Sequence, residues 1–176
     1  GDAAFSGCSS LTSLTIPDSV LSIRQGALYG SSSLTAITVD PSNASYSSSD
    51  GVLFNENQTT LIHCPSGKTG IYSIPDSVNS IGDQAFEGCS RLTSVTIGSG
   101  VTSIEQGAFN SCLGLTSLTI PNSVTSIGGS AFQNCSSLTS ITIPDSITSI
   151  GDATFYDCTD LTSITIPNRI TSIGNA

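Results

Sequence analysis

The stretch Leu115–Cys135, LTSLTIPNSVTSIGGSAFQNC, decides the fold of this chain, because nearly the same letters return on both sides of it. They recur as LTSVTIGSGVTSIEQGAFNSC at 92–112 and as LTSITIPDSITSIGDATFYDC at 138–158, which gives a period of 23 residues. A fixed period of about 20–50 residues is typical of repeat proteins, in which each unit forms one coil and buries its apolar side chains against its neighbours. We therefore predict a solenoid of stacked coils.

Each repeat divides into three parts, which the first complete coil shows as LTSLTIPDSVLSIRQGALYGS at 11–31. The letters LTSLTI predict a strand whose leucines and isoleucine point inward, and Pro17 ends it because proline lacks the donor that a sheet requires. The letters VLSI predict a second short extended stretch. The remaining segment, 25–31, is predicted to form a helical or 3₁₀ turn that carries an aromatic or leucine side chain into the core.

Phenylalanine and cysteine repeat in the last part of the coil, and we predict both columns to be buried core. They are Phe86, Phe109, Phe132 and Phe155, and Cys89, Cys112, Cys135 and Cys158. Cys8 occupies the same position, whereas Ser31 fills it in one coil. Stacked rungs lie roughly 5 Å apart, so neighbouring cysteines can in principle form disulfides, but the serine favours free thiols that pack as small apolar residues. No metal site is expected, because the chain has no CxxC motif and a single histidine.

The register breaks once, in a unit at 34–88 that carries 12 extra residues. We predict a turn-rich loop at 40–51, followed by strands at 51–54 and 59–64 that form a hairpin. From Phe86 onward the repeat is strict again.

The insertion, 40–70, is predicted to project from the stack and to display Tyr46 and Phe54 as candidate binding residues. Loops that interrupt a repeat scaffold often carry recognition. The alternative interpretation is a spacer that kinks the solenoid.

The repeat LTSITIPDSITSIGDATFYDC at 138–158 closely resembles the BspA type of leucine-rich repeat, and the longer unit resembles a variant found in that family. The resemblance extends over residues 1–176. It implies a single domain, a right-handed leucine-rich-repeat solenoid of about seven coils, mostly β with short helical or 3₁₀ turns and a parallel sheet along one face. It also implies a surface-exposed or secreted protein linked to adhesion, with no catalytic residues.

Charge and hydrophobicity exclude several classes of partner. The net charge is −9 and the chain has only four Lys and Arg residues, so neither nucleic acid nor anionic lipid is expected to bind. No apolar run approaches the roughly 18 residues of a membrane-spanning helix, so membrane insertion is not expected. Because the sequence starts and stops within a repeat, we expect it to be a piece of a longer array whose ends can associate with each other.

Catalytic patterns are weak. A Ser–His–Asp site needs a histidine base, and His63 lies within a predicted strand, where a structural role is expected. The acidic residues Asp18, Asp76 and Asp145 each follow a proline, which turn formation explains. Calcium binding along that column is an alternative, but Asn122 and Asn168 replace aspartate in two coils. We predict neither an enzyme nor a cofactor.

Outward residues of the LTSLTI strands form a serine column and a threonine column, which are the main candidate binding surface. In the strict repeats they are Ser94, Thr96, Ser117, Thr119, Ser140, Thr142, Ser163 and Thr165. Threonine also favours strands, so these columns can simply solvate a sheet. The functional alternatives are a polar docking face for a protein or glycan, or an ice-binding surface.

The leading hypothesis is therefore a non-catalytic adhesion or protein-interaction module located outside the cell or on its surface. Its partner would be a protein or glycan of a cell surface or extracellular matrix. The second hypothesis is a structural spacer or fibre segment that displays other domains.

Overall fold

A computed structural model describes residues 3–175 as a stack of short strands. In chain order the strands are β1 (Ser13–Ile16), β2 (Ala36–Val39), β3 (Tyr46–Ser49), β4 (Val52–Asn55), β5 (Thr60–His63), β6 (Gly70–Ser73), β7 (Ser80–Ile81), β8 (Leu92–Thr96), β9 (Ser103–Ile104), β10 (Ser117–Thr119), β11 (Ser126–Ile127), β12 (Ser140–Thr142), β13 (Ser149–Ile150), β14 (Ser163–Thr165) and β15 (Ser172–Ile173).

The LTSLTI strands form the first sheet. Strands β6, β8, β10, β12 and β14 make a five-stranded parallel sheet, and β1 and β2 make a parallel pair. Each residue pairs with its equivalent in the next coil, as Ser117 does with Ser140. The predicted solenoid, with a parallel sheet along one face, is therefore confirmed.

The short Ser–Ile strands form a second sheet, in which β7, β9 and β11 are parallel and β13 pairs with β15. Threonine side chains connect successive coils beside both sheets. Thr116 Oγ1 donates to the Thr93 carbonyl at 3.3 Å, and Thr125 Oγ1 donates to the Thr102 carbonyl at 3.2 Å. A hydrogen bond of this kind contributes about 0.5–1.5 kcal/mol, so stacking is reinforced beyond the backbone ladder.

The third side of each coil consists of consecutive turns. Cys89 N donates to the Phe86 carbonyl at 3.0 Å, which is a 3₁₀-type turn, and Phe86 N donates to the Ala108 carbonyl of the next coil at 2.7 Å. No residue in 3–175 lies in a helix, so the predicted helical segments are single turns. Gly88 and Asn134 hold one position of this turn with φ of 70° and 59°, a left-handed conformation that glycine adopts without a steric penalty.

The phenylalanine column runs through the core as a stack of parallel rings. Ring centroids of Phe86 and Phe109 are 4.8 Å apart, and those of Phe109 and Phe132 are 5.5 Å apart. These three side chains are fully buried, whereas Phe155 is half-buried. Burial of one such side chain stabilises the fold by roughly 1.5–3 kcal/mol, and each ring needs its neighbouring coils to be buried.

The cysteines form a ladder of free thiols rather than disulfides. Cys112 Sγ donates to the Phe86 carbonyl at 3.1 Å, and Cys135 Sγ donates to the Phe109 carbonyl at 3.2 Å. Burial raises the pKa of Cys135 to about 12, so its thiol stays protonated at neutral pH. Cys8 differs from the expectation of a buried column, because it is exposed in the first turn of the described stack.

The enlarged unit does not project from the stack, and that prediction is wrong. Strands β3, β4 and β5 continue the second sheet, which has the order β11-β9-β7-β5-β4-β3. The chain reverses within this sheet, because β3 and β5 each pair with β4 in the antiparallel sense. Strand β3 lies where a loop was predicted, since its YSSS sequence has no apolar alternation and its pairing with β4 defines it.

Side chains of the hairpin pack into two hydrophobic cores. Phe54 and Leu61 pack into the main core of the strict array, whereas Leu53 packs into a smaller core with Leu28 and Ile37 of the first coils. Side chains on both sides of β4 are consequently buried.

Candidate functional site

The outward columns of the first sheet form a flat surface of hydroxyl groups, here called the Ser/Thr face. It comprises Ser94, Thr96, Ser117, Thr119, Ser140, Thr142, Ser163 and Thr165 on β8, β10, β12 and β14. All of these residues are exposed except Ser94, which is half-buried. Because adjacent strands in a sheet lie about 4.8 Å apart, equivalent hydroxyls recur at that spacing.

The hydroxyls of the Ser/Thr face are free, unlike those of the threonines beside it. Thr139 Oγ1 donates to the Thr116 carbonyl at 3.1 Å and so serves the stack. Thr119 and Thr142 point outward and make no side-chain hydrogen bond within the described part of the chain. Their hydroxyls therefore remain available to a partner as donors and acceptors.

One apolar residue lies at the edge of this face. Ile71 of β6 pairs with Ser94 and is 73% exposed. Its alignment with Ser94 in the repeat is the sequence signal for this outward position. The adjacent Tyr72 points inward, as the alternation of a strand requires.

Lys68 contacts two parts of the enlarged unit near this edge, Asp50 in the β3–β4 turn and Tyr72 in β6. Lys68 Nζ lies 3.0 Å from Asp50 Oδ2 and donates to the Asp50 carbonyl at 2.7 Å. The same ammonium lies 5.3 Å from the centroid of the Tyr72 ring. Lys68 is therefore engaged within the chain.

Phe54 is not accessible as the binding residue that the sequence predicted, and Tyr46 is only partly accessible. Phe54 is completely buried, because β4 lies inside the stack. Tyr46 is half-buried, and its hydroxyl accepts a hydrogen bond from Ile23 N at 2.8 Å. Both side chains hold the enlarged unit to its neighbours.

A cleft opens where the enlarged unit meets the first coil. We call it the His63 cleft; it is lined by residues 23–29, Leu53, Ile62, His63 and residues 82–84, and its volume is about 230 Å³. Gln25 Nε2 donates to Gln84 Oε1 at 2.7 Å across it, although the two residues are 59 positions apart.

His63 is buried at this cleft in its neutral form. Burial lowers its pKa to about 4, and its Nε2 atom has no hydrogen-bond partner. Tyr29 also lines the cleft, and burial together with the neighbouring Glu87 carboxylate raises the pKa of its hydroxyl. Within 3–175, no three His, Cys, Asp or Glu side chains are grouped so that they could hold a metal ion.

Two aspartates connect neighbouring coils from different parts of the repeat. Asp76, which follows a proline, accepts a hydrogen bond at Oδ1 from Ser99 N of the next coil at 3.2 Å. Asp152, which follows Gly151, accepts one from Asn175 N at 2.7 Å.

Comparison with known families identifies the repeat. A model of the BspA type leucine rich repeat region matches residues 1–73 and 66–176, in six copies. The chain belongs to this family. No curated protein sequence matches the chain.

Solved structures of other bacterial proteins share the fold. A leucine rich cell surface protein from Faecalibacterium prausnitzii is 31% identical, with a TM-score of 0.67 over 88% of this chain and 47% of its own. A leucine-rich repeat protein from Eubacterium ventriosum is 27% identical, with a TM-score of 0.63 over 94% of this chain and 57% of its own. The pneumococcal vaccine antigen PcpA, at 24% identity and a TM-score of 0.72, shows the fold alone. The chain thus spans about half the length of these relatives.

No helix in the described BspA type repeats is long and apolar enough to cross a membrane.

Proposed function

We propose that this chain is a non-catalytic interaction module of a surface or secreted bacterial protein, and that it binds a protein or glycan partner through the Ser/Thr face. The observation that carries the proposal is the regular array of free hydroxyls on one exposed parallel sheet. A partner can align with it over several coils, because β8, β10, β12 and β14 each present the same two groups.

Charge supports the choice of partner. The face itself carries hydroxyls and no charged side chain, while the chain as a whole has a net charge of −9. An acidic polymer such as nucleic acid is therefore disfavoured, whereas neutral glycans and polar protein surfaces are compatible.

The family and its relatives support the location. The relative from Faecalibacterium prausnitzii is described as a cell surface protein. Since this chain covers about half of such proteins, the proposal concerns the repeat module and not a whole protein.

Binding to immobilised extracellular-matrix proteins and to a glycan array tests the proposal. We expect Thr119→Arg to weaken the binding of the strongest ligand at least about tenfold, because a large cation at the centre of the face prevents close docking. Thr148→Arg is the matched control: Thr148 is equally exposed, but it lies beside the second sheet.

Absence of any ligand for the intact chain would contradict the proposal and favour the structural spacer. Equal loss of binding in both arginine variants would also contradict it, because the effect would then come from charge and not from the face.

A further inference from the structure

The His63 cleft arises because one rung of the stack is missing. In the strict array the turn of each coil bonds to the turn of the next: Gln84 N donates to the Gln106 carbonyl at 2.9 Å, and Gly107 N donates to the Gly129 carbonyl at 3.0 Å. The equivalent pair at the cleft is Gly26 N and the Asp83 carbonyl. Neither makes a hydrogen bond within the described residues.

The enlarged unit explains this gap. It places the end of β5 and the following residues below the turn of the first coil. There Cys64 N donates a hydrogen bond to the Ala85 carbonyl at 2.7 Å. It supplies no turn of its own at the level of Gly26 and Asp83. Gly26, Asp83 and His63, whose buried Nε2 atom has no hydrogen-bond partner, consequently line the same small cleft.

A buried polar atom without a hydrogen-bond partner is rare in native proteins and calls for a partner, and His63 Nε2 is such an atom. It lies with the half-buried Gly26 and the exposed Asp83 in one cleft of about 230 Å³. That volume is below the roughly 300–1,000 Å³ of pockets for drug-sized ligands, and it suits a molecule the size of one hexose. We propose that the His63 cleft binds a single neutral sugar residue.

Hydroxyl chemistry fits these groups better than other small ligands do. A hydroxyl both donates and accepts, so one hydroxyl can accept from Gly26 N–H and donate to the Asp83 carbonyl. Another can pair with His63 Nε2 in either neutral tautomer. Ile23 and Ile62 supply apolar surface for the C–H face of a pyranose ring.

Charge favours a neutral sugar over an acidic one. Arg24 and Asp83 line the cleft with opposite charges, and His63 is neutral. The nearby Glu87 carboxylate and the negative charge of the chain disfavour uronic and sialic acids. This site is separate from the Ser/Thr face and does not depend on its function.

Ligand-observed NMR with the 176-residue chain tests the assignment directly. The probes are methyl glycosides of glucose, galactose, mannose and N-acetylglucosamine, with galacturonic acid as the acidic comparison. Matching short oligosaccharides distinguish a glycan terminus from a free sugar. We expect saturable binding of at least one neutral glycoside with a Kd of about 1–10 mM, which is typical of so small a contact, and weaker binding of the acid.

Two variants locate the site. Gln25→Trp blocks the rim at an exposed position, and His63→Leu removes the buried nitrogen; each should weaken binding by about tenfold or more. Gln106→Trp is the matched control, because Gln106 holds the repeat position of Gln25 between two complete coils. Thermal melts report on folding, and Gln25→Trp preserves the test even if His63→Leu unfolds the chain.

Several results would overturn the proposal. One is the absence of saturable binding across the panel, which would mean that the cleft holds water only. The others are binding that persists in Gln25→Trp and binding that is lost equally in Gln106→Trp.

Discussion

The strict array at 89–173 and the enlarged unit at 34–88 bury the same kinds of side chain by different means. In the strict array every coil is covered by a near copy of itself, so turn donors such as Gly107 N and Phe109 N each meet an acceptor 22 residues later. The enlarged unit covers its neighbours with an antiparallel hairpin, which supplies apolar side chains but no matching turn. A hairpin therefore replaces the core of a coil more completely than it replaces the hydrogen-bonding groups at the edge of that coil.

Phe54→Ala tests whether the hairpin is part of the core, and among the variants proposed it should have the largest effect on the free energy of unfolding. Phe54 is as deeply buried as Phe109, so the two alanine variants should each lower the free energy of unfolding by about 3–5 kcal/mol. Chemical denaturation followed by circular dichroism measures both. A loss below about 1 kcal/mol for Phe54→Ala alone would indicate a peripheral loop.

Acid should affect the enlarged unit through His63. Its pKa is about 4 in the folded chain and about 6.5 when unfolded, so the unfolded state binds the proton more tightly. Stability is therefore full above pH 6.5, falls as the pH decreases through this window, and has lost about 3 kcal/mol below pH 4. Denaturation curves at several pH values should show this loss.

His63→Gln is the control for the acid effect, because it retains polarity without titrating in this range. Carboxylates shared by both proteins, Asp83 included, cancel when the two pH profiles are subtracted. Parallel profiles for the two proteins would contradict a buried neutral imidazole.

A smaller change in stability is expected at the left-handed turn positions of the strict array. Gly107 and Ala153 occupy the same repeat position with φ of 61° and 51°. Gly107→Ala should cost about 1–2 kcal/mol, since its Cβ would lie 3.0 Å from Gln84 Cγ in an unfavourable backbone conformation.

Ala153→Gly is the reciprocal change and should stabilise the chain by roughly 0.5 kcal/mol, because relief of strain exceeds the added entropy of glycine. Thermal melts of the pair give the comparison. Effects of the same sign in both variants would show that the repeat position does not determine the backbone cost.

The smallest effect is expected at the tip of the enlarged unit. Lys68→Met removes the ion pair with Asp50 while keeping the aliphatic stem over Tyr72. Because Asp50 is exposed, the loss should be only about 0.2–1 kcal/mol and should diminish in high salt. A loss of stability in Lys68→Met as large as that in Phe54→Ala would contradict this expectation.

The sequence allowed the strict array to be predicted closely, because a period of 23 residues places equivalent side chains above one another. Ser117 and Thr119 face outward and Phe109 faces inward for that single reason. The same spacing predicts the strand pattern of the Ser/Thr face.

The enlarged unit was less predictable, because its pairing partners are set by distant parts of the chain. The alternation in GVLF does not reveal that both sides of β4 are covered, and YSSS carries no signal for β3. The His63 cleft is harder still. It depends on Gly26 and Asp83, which are far apart in the chain, lining one cleft without a turn hydrogen bond between them, and no local pattern encodes this.

Amide hydrogen exchange measures directly whether the hairpin of the enlarged unit is part of the stable stack. We predict that the amides of Phe54 and Leu61, in β4 and β5, exchange as slowly as those of Leu118 and Ile141 in the strict array. If the hairpin amides exchanged at the rate of an unfolded chain while the strict array stayed protected, the hairpin would not be part of the stable stack.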